Sequence, residues 1–204
     1  MRSILLSGSV IGALVTATEV LIGRPARADA VIESRSLSID AIEGSNVKTS
    51  QLVSLKLLAN PATVVIFVSA TCPCSQSHVV ELKSLAKDFP EFQFVGIHSN
   101  GNEGKQASQS YFQSLALPFE VIRDRGAKLA DLFRASKTPH AFVINRDRQV
   151  VYRGGVSSSS QFHAQVERRF LREALDDLRA SRAVRTPEGR TLGCAITRGG
   201  EGDW

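Results

Sequence analysis

The sequence predicts an α/β fold: a central mixed sheet flanked by helices, with an N-terminal strand or hairpin extension. Three observations predict it. Residues 63–68 form an unbroken β-branched and apolar run, suited to a strand covered on both faces. Segments of strand character alternate with segments of helical spacing, which implies right-handed crossovers on one sheet. Residues 140–145 and 149–152 flank Arg146-Asp147-Arg148 as an antiparallel hairpin.

The elements follow in chain order. Residues 37–41 alternate apolar and polar as a short strand, and Glu43-Gly44-Ser45-Asn46 reads as a turn. Thr49 or Ser50 caps a short helix running to about Leu58, which Asn60-Pro61 ends. After the 63–68 strand comes a turn over 71–75. A helix over 76–89 follows, with apolar Val79, Val80, Leu82, Leu85 and Ala86, closed by Pro90. Residues 92–97 form a second core strand and 100–104 a polar loop. A helix spans 105–115, a short strand 119–122, a turn 123–126 and a short helix 127–133. After the hairpin, a helix is expected over 162–180, with Arg168 and Arg169 on its solvated face. Residues 182–204, with Pro187 and several glycines, read as a tail carrying Cys194.

The chain has 204 residues, 43% hydrophobic and 22% charged, as befits one globular domain. The net charge is +5, yet no Lys/Arg stripe interleaves with aromatics, so nucleic acid is not an expected partner. The first thirty residues have the form of an export signal. Arg2 is followed by an apolar stretch, and Ala28-Asp29-Ala30 offers a small-x-small site, with cleavage expected after Ala30. Val15-Thr16-Ala17 is a second possible site. Glu19 opposes the rival reading of an uncleaved anchor over 5–22, and no later stretch is apolar enough to span a bilayer. The domain is therefore placed at 31–181 and the protein in the periplasm or outside the cell.

Three cysteines remain: Cys72, Cys74 and Cys194. Two cysteines one residue apart staple almost nothing, so their spacing points to reactivity. Cys72 and Cys74 follow the carboxyl end of a strand and begin a helix, where N–H groups and the helix dipole favour a thiolate.

These residues resemble the thioredoxin-like redoxins, the superfamily that also holds the alkyl hydroperoxide reductase and thiol-specific antioxidant peroxidases. The resemblance rests on the strand running into Ser69-Ala70-Thr71-Cys72-Pro73-Cys74-Ser75, on Thr138-Pro139 before an apolar strand, on the hairpin 141–155, and on Leu192-Gly193-Cys194-Ala195-Ile196. It covers roughly residues 35–196. It implies a thioredoxin-like fold and a cis peptide bond before Pro139, whose backbone would align an incoming chain as an added strand. The sequence also departs from the family. The site is Cys-x-Cys where thioredoxins have Cys-x-x-Cys, and Thr71 replaces the usual tryptophan. No carboxylate lies in the 63–68 strand. Of the peroxidase pattern Pro-x-x-x-Thr/Ser-x-x-Cys, Ser69 is present, but Val65 stands at the proline position.

Cys72 is thus the expected nucleophile and Cys74 its expected partner, with Cys194 a possible resolving thiol. Pro139 completes the catalytic set; Ser69, Thr71, His140 and His78 are possible supports. His140 follows Pro139 and is placed to tune Cys72 or shuttle a proton; the alternative is a surface-facing strand histidine. His78, four residues after Cys74, is placed to lend positive charge or simply to be solvated. His98, at a strand end, has a weaker claim, and His163 is read as structural. The leading function is an exported thiol–disulfide oxidoreductase acting on protein thiols or disulfides with a redox partner protein. A thiol peroxidase acting on peroxide is the first alternative. A Cu(I) metallochaperone using Cys72, Cys74 and His140 is the second. There is no nucleotide or flavin motif, so no cofactor is inferred.

Overall fold

The computed structural model describes residues 40–57, 61–163 and 166–199. The expected export signal, the expected cleavage site and the first part of the expected 37–41 strand lie outside the described residues.

The chain opens on a hairpin of β1 (Ala41–Asn46) and β2 (Leu52–Lys56). Two expectations change here. Glu43–Asn46 is strand rather than turn, and the helix expected before Leu58 is β2. The turn sits four residues later than expected: Asn46 Oδ1 accepts the N–H groups of Lys48 and Thr49, and Ser50 takes a positive φ of 60°. The apolar run that reads as a helix face satisfies the strand period instead. Val53 and Leu55 turn to the core side while Leu52 is left exposed.

β3 (Ala62–Phe67) is the central strand, and every one of its residues is buried. It pairs parallel with β4 (Gln93–His98), which pairs parallel with β5 (Glu120–Arg123). On its other side it pairs antiparallel with β7 (His140–Asn145), which continues into β8 (Val150–Gly154). The sheet order β2-β1-β5-β4-β3-β7-β8 is mixed, as expected. Alternation along β3 separates two cores. Val64 and Ile66 pack with Leu82, Leu85, Phe112 and Leu175 on one face; Val65 and Phe67 pack with Ile97, Phe133 and Phe142 on the other.

The expected helix over 76–89 begins earlier and is broken, as α1 (Pro73–Ser77) and α2 (Val79–Asp88). The break has a cause. The Cys74 carbonyl that the His78 N–H would use in a continuous helix is taken by two side chains, His78 Nδ1 at 2.7 Å and Ser77 Oγ at 3.0 Å. The His78 N–H bonds Ser75 O instead. α3 (Lys105–Leu115) and α4 (Lys128–Phe133) lie where expected. α5 is only Phe170–Arg179. The described residues before it form a loop tied down by the Ser158 N–H to Arg168 O and the Phe162 N–H to Ser77 Oγ. Arg168 and Arg169 therefore precede the helix, and His163 is an exposed loop residue.

The described residues after α5, 180–199, are not a loose tail. Arg153 and Glu188 form a bridge beside β8. Further on, β9 (Cys194–Ala195) pairs antiparallel with β6 (Lys137–Thr138), in the register Thr138 to Cys194. Ile196 is then buried in the second core.

Candidate active site

The site lies at the carboxyl end of β3, where the chain turns into α1. Cys72 is the N-cap of α1, and its Sγ lies 3.4 Å from the Ser75 N–H donor. Pro73 occupies the first helical position, where a missing N–H costs nothing. Cys72 is buried; Cys74 is half-buried and free.

Cys72 is bonded to Cys194, 122 residues away, with Cα atoms 5.9 Å apart. The expected pairing of Cys72 with Cys74 is not the one present. Cys74 nevertheless stays close: the three sulfurs lie within 4.8 Å of one another. The Thr138–Pro139 bond is cis, and Thr138 O lies 3.1 Å from Cys72 Sγ. Thus β6, just before Pro139, forms the wall against which both Cys72 and the Cys194 strand are held.

A carboxylate that the sequence did not flag organises the turn. Glu103 is buried on the loop after β4. Its Oε1 accepts the Ser69 hydroxyl at 2.5 Å, and its Oε2 accepts the Ala70 N–H at 2.8 Å. Ser69 Oγ in turn accepts the N–H groups of Cys72 at 2.9 Å and Thr71 at 3.2 Å. Ser75 Oγ closes the turn by accepting the Ser69 N–H. Ser69 therefore shapes the backbone around Cys72, with its hydroxyl committed to Glu103. The Thr71 side chain is exposed. Glu103 stands on a loop whose polar, glycine-containing sequence carries no periodic signal.

The histidines take other places. His78 is buried, and its ring joins Cys74 O to Ser157 Oγ, 2.9 Å from Nε2. Burial lowers its pKa below the usual range. It is neither solvated nor a cation beside a thiolate. His140 is buried on β7, its ring tilted against that of Phe142 with centroids 4.4 Å apart. Burial, helped by Arg153 and Lys137, brings its pKa down to about 4. It lines a cleft with Phe133, Arg153 and Glu188, so it is not the surface-facing strand histidine of the alternative reading. The sulfur cluster contains no histidine among the described residues, so the ligand set Cys72, Cys74 and His140 is not assembled. His98 is buried 3.8 Å from Glu103 and 3.1 Å from Ser108 Oγ, its pKa brought to about 4 chiefly by burial. It belongs to the support under the turn.

A sheet of this order, with a cysteine N-cap after its central strand and a cis-proline opposite, defines the thioredoxin-fold thiol proteins. Within that class, residues 38–153 match the family model described as the AhpC/TSA family. That is more than half of the chain, which therefore belongs to this family, and its activity class is thiol–disulfide oxidoreductase or thiol peroxidase. Among solved structures, the chain is similar to an uncharacterized conserved protein from Geobacillus kaustophilus, at 26% identity and TM-score 0.72, over 81% of this chain and 92% of that one. It is also similar to a hypothetical protein from Sinorhizobium meliloti 1021, at 23% identity and TM-score 0.68, over 78% and 91% of the two chains. Peroxidoxin BcpB from Mycobacterium tuberculosis shares the fold at 21% identity and TM-score 0.52, over 71% and 95%. No curated protein matches.

Proposed function

We propose that this protein is an exported thiol–disulfide oxidoreductase in which Cys72 is the nucleophile and Cys194 the resolving thiol. One observation carries the reading: Cys72 is bonded to a cysteine whose strand pairs with the residues just before cis-Pro139. The arrangement is an intramolecular counterpart of a mixed disulfide with an extended substrate chain.

Reduced Cys72 loses its proton, and the Ser75 N–H at its sulfur stabilises the thiolate. The thiolate attacks one sulfur of a substrate disulfide, forming a mixed disulfide and releasing the other substrate thiolate. Cys194 thiolate then attacks Cys72 Sγ. The second substrate thiol leaves, and the Cys72–Cys194 bond holds the two electrons' worth of oxidation. A partner dithiol restores the reduced chain: one partner thiolate attacks Cys72 Sγ and releases Cys194 thiolate, and the second partner thiol then displaces Cys72 thiolate, leaving as the partner disulfide. Cys74, close to both sulfurs, is a second resolving thiol when Cys194 is absent. Export rests on the pattern of residues 2–30, and among the described residues no helix is long and apolar enough to cross a membrane.

Family membership favours a second reading, thiol peroxidase, with peroxide oxidising Cys72 to a sulfenic acid that Cys194 condenses with. The committed Ser69 hydroxyl counts against it. The test is non-reducing peptide mapping across glutathione buffers, followed by stopped-flow mixing of the reduced chain with a peptide disulfide or with hydrogen peroxide. A reversible Cys72–Cys194 bond formed faster by the peptide disulfide supports the exchange reading. Faster oxidation by stoichiometric peroxide favours the peroxidase. Three unpaired thiols across all buffers overturn both.

A further inference from the structure

The family chemistry uses two thiols, and this site gathers three. The strand that carries Cys194 is held by more than the disulfide. β9 is held by pairing with β6, by the Ile196 N–H to Ser136 O at 3.0 Å, and by the Thr197 N–H to Asn100 Oδ1 at 3.0 Å. The Gly101 N–H bonds Thr197 O, and the Ile196 side chain is buried. None of these contacts runs through the sulfur atoms of Cys72 or Cys194. The three cysteines stand on three backbone anchors, the α1 N-cap, the first turn of α1, and β9, and none of the three anchors is the disulfide itself.

We propose that the reduced protein binds one Cu(I) ion through Cys72, Cys74 and Cys194. An ion held symmetrically by three sulfurs at about 2.3 Å requires sulfur separations of about 4.0 Å. The present separations, all within 4.8 Å, bracket that value with side-chain adjustment alone. Soft thiolates select Cu(I), and structural zinc sites take four protein ligands where this cluster offers three. The site differs from a Cys-x-Cys pair assisted by His140: the third ligand comes from the tail, and His140 takes no part. Binding releases thiol protons, and it competes with the disulfide because both use Cys72 and Cys194. The oxidised chain keeps only Cys74.

The test is anaerobic titration of the reduced full chain with Cu(I) buffered by bicinchoninate, paired with X-ray absorption of the loaded protein. The expected result is one Cu(I) per chain with three sulfur neighbours at about 2.3 Å. Cys74→Ser and Cys194→Ser should each weaken binding at least about tenfold and reduce the sulfur count to two, and His140→Gln should leave affinity unchanged. Chain oxidised to the Cys72–Cys194 disulfide should lose the site. The proposal is overturned by a two-sulfur spectrum in the unsubstituted chain, which needs no variant to fold. It is equally overturned if Cys74→Ser or Cys194→Ser binds within about threefold of the parent, or if equimolar Zn(II) displaces the copper.

Discussion

Glu103 shows how one side chain sets the geometry of another it does not touch. Its two oxygens hold the Ser69 hydroxyl and the Ala70 N–H, and Ser69 passes the constraint to the Cys72 N–H. Glu103→Ala leaves those buried groups without their acceptor, so a loss of about 2–4 kcal/mol is expected in urea denaturation. Glu103→Gln, which keeps the shape, should cost less. A loss below about 0.5 kcal/mol for the alanine variant would mean the turn holds without it. The buried histidines predict an acid limb. His98 and His140 have folded pKa values of about 4 against 6.5 for an ordinary histidine. Above pH 6.5 both states are neutral and nothing is lost. Below it the unfolded chain takes up protons that the folded chain refuses, so stability falls as pH drops from 6.5 towards about 4. His140→Gln should flatten that limb, as denaturant midpoints at pH 7 and pH 4.5 would show. An unchanged slope would mean that His140 protonates in place.

At the scale of elements, the outcome turns on β9, two residues long. It approaches β6 so closely that a Cβ at Gly193 would meet Thr138 O at 2.1 Å. Backbone cannot yield there as a flexible side chain would. Gly193→Ala should therefore lift the strand away from β6 and lower the equilibrium constant for the Cys72–Cys194 bond in glutathione buffers about tenfold, a shift of about 1.4 kcal/mol. The same protein should then form more of the Cys72–Cys74 bond. Equal disulfide content in the variant would show that the register of β9 does not matter. The α1–α2 break is a second case: helical spacing in Val79–Leu85 is plain, but the break depends on His78 and Ser77 capturing one carbonyl.

For the whole molecule, the disulfide joins residues 122 apart, so it closes a long loop that leaves out the chain up to and including β3 and the residues after Cys194. The oxidised chain should resist urea by about 3–5 kcal/mol more than the reduced chain at the same pH. A gain under about 1 kcal/mol would mean that the reduced, unfolded chain already holds its ends together, or that the bond strains the fold.

The sequence by itself determined the α/β class, the placement of β3, β4, α3 and the β7–β8 hairpin, and the position of Cys72 at the strand-to-helix turn. Those features are local: hydrophobic period, turn residues and the spacing of a strand followed by a helix appear within a few residues of each other. It also marked Cys194 as a thiol worth watching. Only tertiary structure decided the rest. Leu52–Lys56 became a strand because β1 was there to pair with it. Glu103 became the support of the turn because a loop far along the chain folds beneath Ser69. Cys194, and not Cys74, took Cys72 because Gly193 lets β9 lie against β6. Each of these depends on contacts between residues far apart in sequence, which no local pattern encodes.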